Sequence, residues 1–284
     1  MGYRLNTPVS LATLADALGV LSVGSCEIDQ VSSFGGADRT TLSFSNALPE
    51  SGLGAIIAAN LPDNAAGIIA STPRLTFVRA LQWLDATVGF QRPAEDAVLG
   101  KGVVLGRNVQ LGKGVTLGEG TRVGHNVVIA DGVTVGRNCY IKSNTVIGED
   151  GFGMERGEDG NPIRFIHLGT VVIGDHVEIG SLSTICRGTL GNTIIEDHVK
   201  LDDHVHIAHN CRVRRGAIIT ASVALSGGVE VGDLAWIGPN ASVLQKITLG
   251  SSSFIGLGAV VTHDVPDGAK VAGNPARVLP KRPE

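Results

Sequence analysis

From Leu99 to Val261 an aliphatic residue returns at every sixth position. Leu99, Leu105, Leu111, Leu117, Val123, Ile129, Val135, Ile141 and Ile147 keep the period without a miss, and Ile173, Ile179 and Ile185 resume it. After a slip of four residues it continues from Ile195 through Ile207, Ile219 and Ile237 to Val261. An amphipathic helix repeats near 3.6 residues and a half-buried strand at 2, so neither accounts for a strict six. Six is the period of a β-helix, in which each short strand sends one aliphatic plug to the axis before the chain turns a corner. Glycine after many plugs (Gly100, Gly106, Gly118, Gly136) suits a corner with little room for a Cβ. Three hexads make one triangular turn of 18 residues, which predicts a left-handed parallel β-helix of about eight coils over residues 96–266.

Two polar stretches interrupt the pattern. Residues 149–169, around Asp150-Gly-Phe-Gly-Met-Glu-Arg156, read as a loop inserted into the β-helix, and a Gly-rich excursion on a rigid scaffold is where function tends to lie. Arg187–Asn192 accounts for the four-residue slip. Residues 1–95 lack the repeat and read as a small α/β domain. Ser10 N-caps a helix bearing Leu11, Leu14 and Leu18 that ends near Gly19, and a second helix starts at Pro73. Thr40–Ser45 and Ala65–Ala70 read as strands between them. Residues 267–284 form a short tail with too few apolar side chains for a further domain.

Composition narrows the function classes. The chain of 284 residues is 43% hydrophobic and 18% charged with a net charge of -4, which excludes a broad basic face for nucleic acid. No run of eighteen apolar residues predicts a membrane span, and the first residues lack the pattern of a signal peptide, so the expected location is the cytoplasm. The four cysteines show no Cys-x-x-Cys pairing and read as reduced thiols.

On a β-helix, chemistry must be carried by residues that point off the scaffold. Residues 18 apart stand above one another, which places His209, Gly227, Gln245 and His263 in one column on one edge. An imidazole beneath a glycine N–H is a plausible acyl-transfer pair, the base taking a proton and the N–H holding an oxyanion. Two readings compete with it: an ordinary surface histidine on a non-catalytic solenoid, and a zinc site drawn from His198, His204, His209 or His176.

Four segments together resemble one enzyme family: Ile147-Gly-Glu-Asp-Gly-Phe-Gly153, Val172-Ile-Gly-Asp-His-Val-Glu-Ile-Gly180, Thr184-Ile-Cys-Arg-Gly-Thr-Leu-Gly-Asn-Thr193 and His206-Ile-Ala-His-Asn210. They are similar to the UDP-3-O-(3-hydroxyacyl)glucosamine N-acyltransferases of lipid A synthesis. The resemblance implies a homotrimer without a prosthetic group or metal, with His209 as general base, the Gly227 N–H as oxyanion donor and Asp202 supporting the histidine. It further implies substrate binding by His206 and Asn210, and nucleotide binding by Phe44 and Asn46. The family's second stacking aromatic is missing from Asn46-Ala-Leu-Pro49, and a later histidine is replaced at Gln245 or Lys246. Val271-Ala-Gly-Asn-Pro-Ala-Arg-Val278 instead resembles the tail of CoA-dependent sugar acetyltransferases, which makes Asn274 and Arg277 donor-binding candidates beside Gln245. Two substrate assignments follow. One is a paralogue that uses acyl-CoA on a nucleotide-linked amino sugar for O-antigen or a similar glycan, which the tail favours. The other is lipid A synthesis itself, with an acyl carrier protein as donor.

Overall fold

A computed structural model of the chain describes residues 2–33, 39–47, 54–63 and 65–279. Its contacts separate two compact units: the chain up to Arg92 together with Gly153–Leu168, and Pro93–Phe152 together with Gly169 onward.

The larger unit is a parallel β-helix. Among the described residues its two- and three-residue strands stack into three parallel sheets. The first sheet begins with Val98–Leu99, the second with Val104–Leu105 and the third with Gln110–Leu111. Register is strict, plug upon plug: Leu117 pairs Val135, Val135 pairs Ile173, and Ile173 pairs Ile195. Ile129, Ile141, Ile147, Ile207, Ile219 and Ile237 are fully buried. A second inward column lies two residues before each plug and includes Val127, Val133, Cys139, Val205, Cys211, Ala217 and Val223. Alternation along a strand puts residues i and i−2 on one face, so this column follows from the first. Each buried Ile or Val contributes roughly 1.5–3 kcal/mol from burial, and the repetition makes the core one continuous cluster.

Corners close through a residue in the left-handed region. Asn108, Asn126, Asn144 and Asn210 take it with φ of 57°, 55°, 62° and 61°, a conformation that asparagine tolerates better than most residues. The ordinary spacing between stacked residues is 18. It rises to 38 across residues 149–169 and to 22 across Arg187–Asn192. Both insertions fall on the third edge, where the chain passes from the third sheet to the first strand of the next coil. The tail adds Lys270–Ala272 in parallel beside Phe254–Ile255, and Arg277–Val278 folds back antiparallel upon it. Val260 N–H donates to Gly273 O at 3.0 Å and Ala276 N–H to Val260 O at 2.8 Å, which fastens the tail to the last strand of the third sheet.

In the smaller unit, β1 (Tyr3–Ser10), β2 (Leu21–Val23), β3 (Glu27–Val31), β4 (Thr41–Phe44), β5 (Ala55–Ala58) and β6 (Gly67–Ile69) form one sheet in the order β1-β3-β4-β5-β6-β2. Helices α1 (Leu11–Leu18) and α2 (Pro73–Thr87) complete it. Ser10 Oγ accepts from Thr13 N–H, and Gly19 ends α1 with φ of 66°, as its sequence suggests. The stretch 149–169 departs from expectation. Met154–Arg156 and Pro162–Arg164 form an antiparallel hairpin that belongs to the smaller unit and is not a loop of the β-helix. Phe165 is buried beside Phe77 of α2, Arg74 caps its ring and pairs with Glu155, and Gln82 Nε2 donates to Arg164 O at 3.0 Å. The segment reads as a polar excursion because, apart from glycines, only Phe165 and His167 of its residues are buried.

Candidate active site

The third edge has a regular turn geometry. The first turn residue aims its N–H at the residue one coil on, as Lys113 N–H donates to Asp131 Oδ1 at 2.8 Å. His209 and Gly227 occupy this position on consecutive coils, and Gly228 N–H donates to His209 O at 2.9 Å. Gly227 has no side chain to fill the space, so the imidazole of His209 occupies it. A Cβ at Gly227 would stand 2.8 Å from His209 Nε2 and 2.6 Å from Cε1. The neighbouring Ser226 and Gly228 N–H groups are bonded to Val243 O and His209 O, whereas the Gly227 N–H makes no hydrogen bond among the described residues. A ring nitrogen and a backbone donor are thus held together by the repeat itself. Gln245 and His263 follow on the next two coils, both exposed, with His263 Nδ1 at 2.9 Å from Thr262 Oγ1.

Two of the expected residues have partners within the fold. Asp202 is expected to support the histidine. It follows Lys200–Leu201 at the second edge and accepts from Asp203 N–H at 2.8 Å, away from the third edge because one whole strand of the third sheet separates them. The group at His209 Nδ1 is Asn210 Oδ1, at 3.0 Å. Asn210, expected to bind substrate, has its side chain bonded within the fold: its Oδ1 accepts from Thr189 N–H at 3.1 Å and from Thr189 Oγ1 at 2.9 Å. Spacing alone could not reveal this, since Thr189 belongs to the four-residue insertion. His206 points outward from the third sheet, its Nδ1 2.7 Å from Thr184 Oγ1, and partial desolvation pushes its pKa below the usual imidazole value.

The histidines considered as zinc ligands are dispersed. His198 stands at the first edge, stacked on His176 with ring centroids 4.9 Å apart, His204 at the second edge and His209 at the third. Among the described residues no three His, Cys, Asp or Glu side chains converge. A cleft of about 230 Å³ between Arg214, Glu230, Asp233 and Asp267 opens on the first edge and contains none of the expected site residues. In the smaller unit, Phe44 is half-buried with its ring 4.9 Å from that of Phe77, and Asn46 is exposed. On the tail, Asn274 and Arg277 are exposed. No helix among the described residues is long and apolar enough to cross a membrane.

Residues 96–131 and 114–149 match the bacterial transferase hexapeptide (six repeats) model. A UDP-3-O-acylglucosamine N-acyltransferase of Caulobacter sp. (strain K31) is 40% identical over 132 residues, 46% of this chain and 38% of that protein. The enzyme of the same name from Rhizobium meliloti (strain 1021) is 37% identical over 132 residues, 46% of this chain and 37% of its own length. The match therefore spans well under half the length of these relatives. Among solved structures, the UDP-N-acetylglucosamine acyltransferase of Francisella novicida aligns with a TM-score of 0.60 at 27% identity, covering 66% of this chain and 67% of that one. The Campylobacter jejuni enzyme of that name shares the fold with a TM-score of 0.59 at 23% identity, over 66% of this chain and 71% of its own. Residues 96–149 thus carry the repeats of that model, and the later coils continue them in the same register.

Proposed function

We propose that this chain is an N-acyltransferase that moves an acyl group from a thioester to the amine of a UDP-linked, acylated glucosamine in lipid A synthesis. The observation that carries the reading is the imidazole of His209 held over the Gly227 backbone. The amine attacks the thioester carbonyl, and His209 Nε2 takes its proton as the C–N bond forms. Gly227 N–H holds the oxyanion of the tetrahedral intermediate. The C–S bond then breaks, and the thiolate leaves with the proton from the imidazolium. The chemistry requires no prosthetic group, only an acyl carrier protein or acyl-CoA thioester as co-substrate. The names of the matched relatives support the UDP-glucosamine reading over the acyl-CoA paralogue that the tail suggested.

In this reading Phe44 stacks the nucleobase on its open face and Asn46 bonds the base edge. His206 lines the sugar pocket, and Gln245, Asn274 and Arg277 serve the donor thioester. The protein acts as a homotrimer in the cytoplasm, where nucleotide sugars and thioester donors are available. An outward stripe of Ile218, Trp236 and Phe254, in register on the sheet opposite the third edge, supports self-association.

The test is turnover of UDP-linked and dTDP-linked amino sugars with 3-hydroxyacyl carrier protein, acetyl-CoA and longer acyl-CoAs, with His209→Ala alongside. Turnover of the UDP-glucosamine acceptor with the carrier-protein donor, lost in the variant, is expected. Turnover with acyl-CoA and a different amino sugar alone establishes the paralogue instead. Full activity of the variant removes His209 as base.

A further inference from the structure

We infer that Asn210 is a positioning residue that fixes which nitrogen of His209 carries the proton, and that the Arg187–Asn192 insertion holds Asn210 in place; this rests on His209 acting as the base. The two ends of a carboxamide look alike, but their partners here identify them. A backbone N–H can only donate, and Thr189 N–H reaches one end of the Asn210 amide at 3.1 Å, so that end is the oxygen. Thr189 Oγ1 donates to the same atom at 2.9 Å. The opposite end, Nδ2, faces Gly191 O at 3.4 Å, a group that can only accept. Both ends agree.

The consequence passes to the imidazole. Oδ1 can only accept, so His209 Nδ1 at 3.0 Å carries a hydrogen. In the neutral ring the lone pair then belongs to Nε2, the nitrogen held over Gly227. A proton acceptor and an oxyanion donor face one space only in this tautomer.

The insertion is built around that amide. Asn210 holds φ of 61° and its own N–H donates to the buried Thr193 Oγ1 at 2.9 Å. Gly169 N–H donates to Thr189 O at 2.9 Å, and Thr170 N–H to Asn192 Oδ1 at 3.1 Å. A Cβ at Gly188 would overlap Gly191 O at 1.7 Å, so the turn is too tight there for any other residue. Buried Leu190 anchors its tip.

The test reads the tautomer and the rate separately. Solid-state nitrogen-15 spectra of histidine-labelled protein, assigned with His209→Ala, report the protonated nitrogen in the wild type, Asn210→Gly, Asn210→Asp and Thr189→Ala. Glycine accepts the left-handed backbone, so Asn210→Gly removes the amide with little strain. The wild type is expected to hold its proton on Nδ1. Asn210→Gly is expected to lose that preference and to lower kcat roughly 10-fold or more with little change in KM, and Thr189→Ala to weaken it. Asn210→Asp is expected to keep the tautomer and move the acid limb of the rate profile to higher pH, because a carboxylate favours the imidazolium. A wild-type proton on Nε2 overturns the inference. So does Asn210→Gly with unchanged spectrum and pH profile while His209→Ala is inactive. Full activity of His209→Ala overturns the base reading instead, and the spectra still decide the role of Asn210.

Discussion

The imidazole of His209 lies across the backbone of Gly227, with Nδ1 3.2 Å and Cε1 2.6 Å from where a methyl group would stand. Gly227 is absent from the residues with positive φ, so alanine fits its backbone and the only cost is to the ring. Gly227→Ala is therefore expected to displace His209 and lower kcat roughly 100-fold, with a small change in Tm. Steady-state kinetics beside a melting curve check both halves; unchanged kcat means that the ring does not need this site.

Leu234 is held at φ of 57° with 66% of its surface exposed. Its strained backbone costs about 1–2 kcal/mol, and its exposed side chain returns little by burial. Leu234→Gly is expected to raise stability by roughly 0.5–1 kcal/mol, although it deletes a large apolar group. Denaturant unfolding measures it, and a loss of stability would mean that the contact of Leu234 with the coil beneath it outweighs the strain.

Desolvation lowers the pKa of His206 in the folded chain. The unfolded chain takes up its proton near the ordinary value of about 6.5, while the folded chain resists it. Stability from this residue is therefore complete above that pH and declines as pH falls, until the folded pKa is passed. His206→Gln is expected to flatten this part of the pH dependence between pH 8 and 5. Chemical denaturation midpoints across that range decide; an equally steep variant assigns the slope elsewhere.

Cys211 is buried in the second inward column, and burial pushes its thiol up to about 12. Cys139, buried likewise and bonded to Gly174 O, is also raised. A thiolate is needed for alkylation, so neither is expected to react in the native protein at pH 8, and both are expected to react on unfolding. Mass spectrometry after iodoacetamide treatment reads this directly. Native labelling at Cys211 would show that the coils open there.

The plugs reveal the β-helix because each is repeated by its neighbour in space, so the sequence carries the fold many times over. The column joining His209 to Gly227 was legible for the same reason, as both stand on coils of ordinary length. Asn210 as the partner of Nδ1 was not, because its orientation depends on Thr189 and Gly191, residues of an insertion that obeys no period. The hairpin of Met154–Arg164 was hidden for a related reason. Its anchors, Arg74, Phe77 and Gln82, lie on a helix some eighty residues away in the chain.

Both insertions leave the coil at the third edge and return the chain to the same register of plugs. Length can therefore change at this corner without any residue of the axis changing its neighbours. One edge can acquire a new segment while the column behind it continues to fold as before. A lineage built on this prism can revise its chemistry by insertion where a compact globule would have to rebuild its core, and a designer could graft a different turn between Cys186 and Thr193 on the same terms.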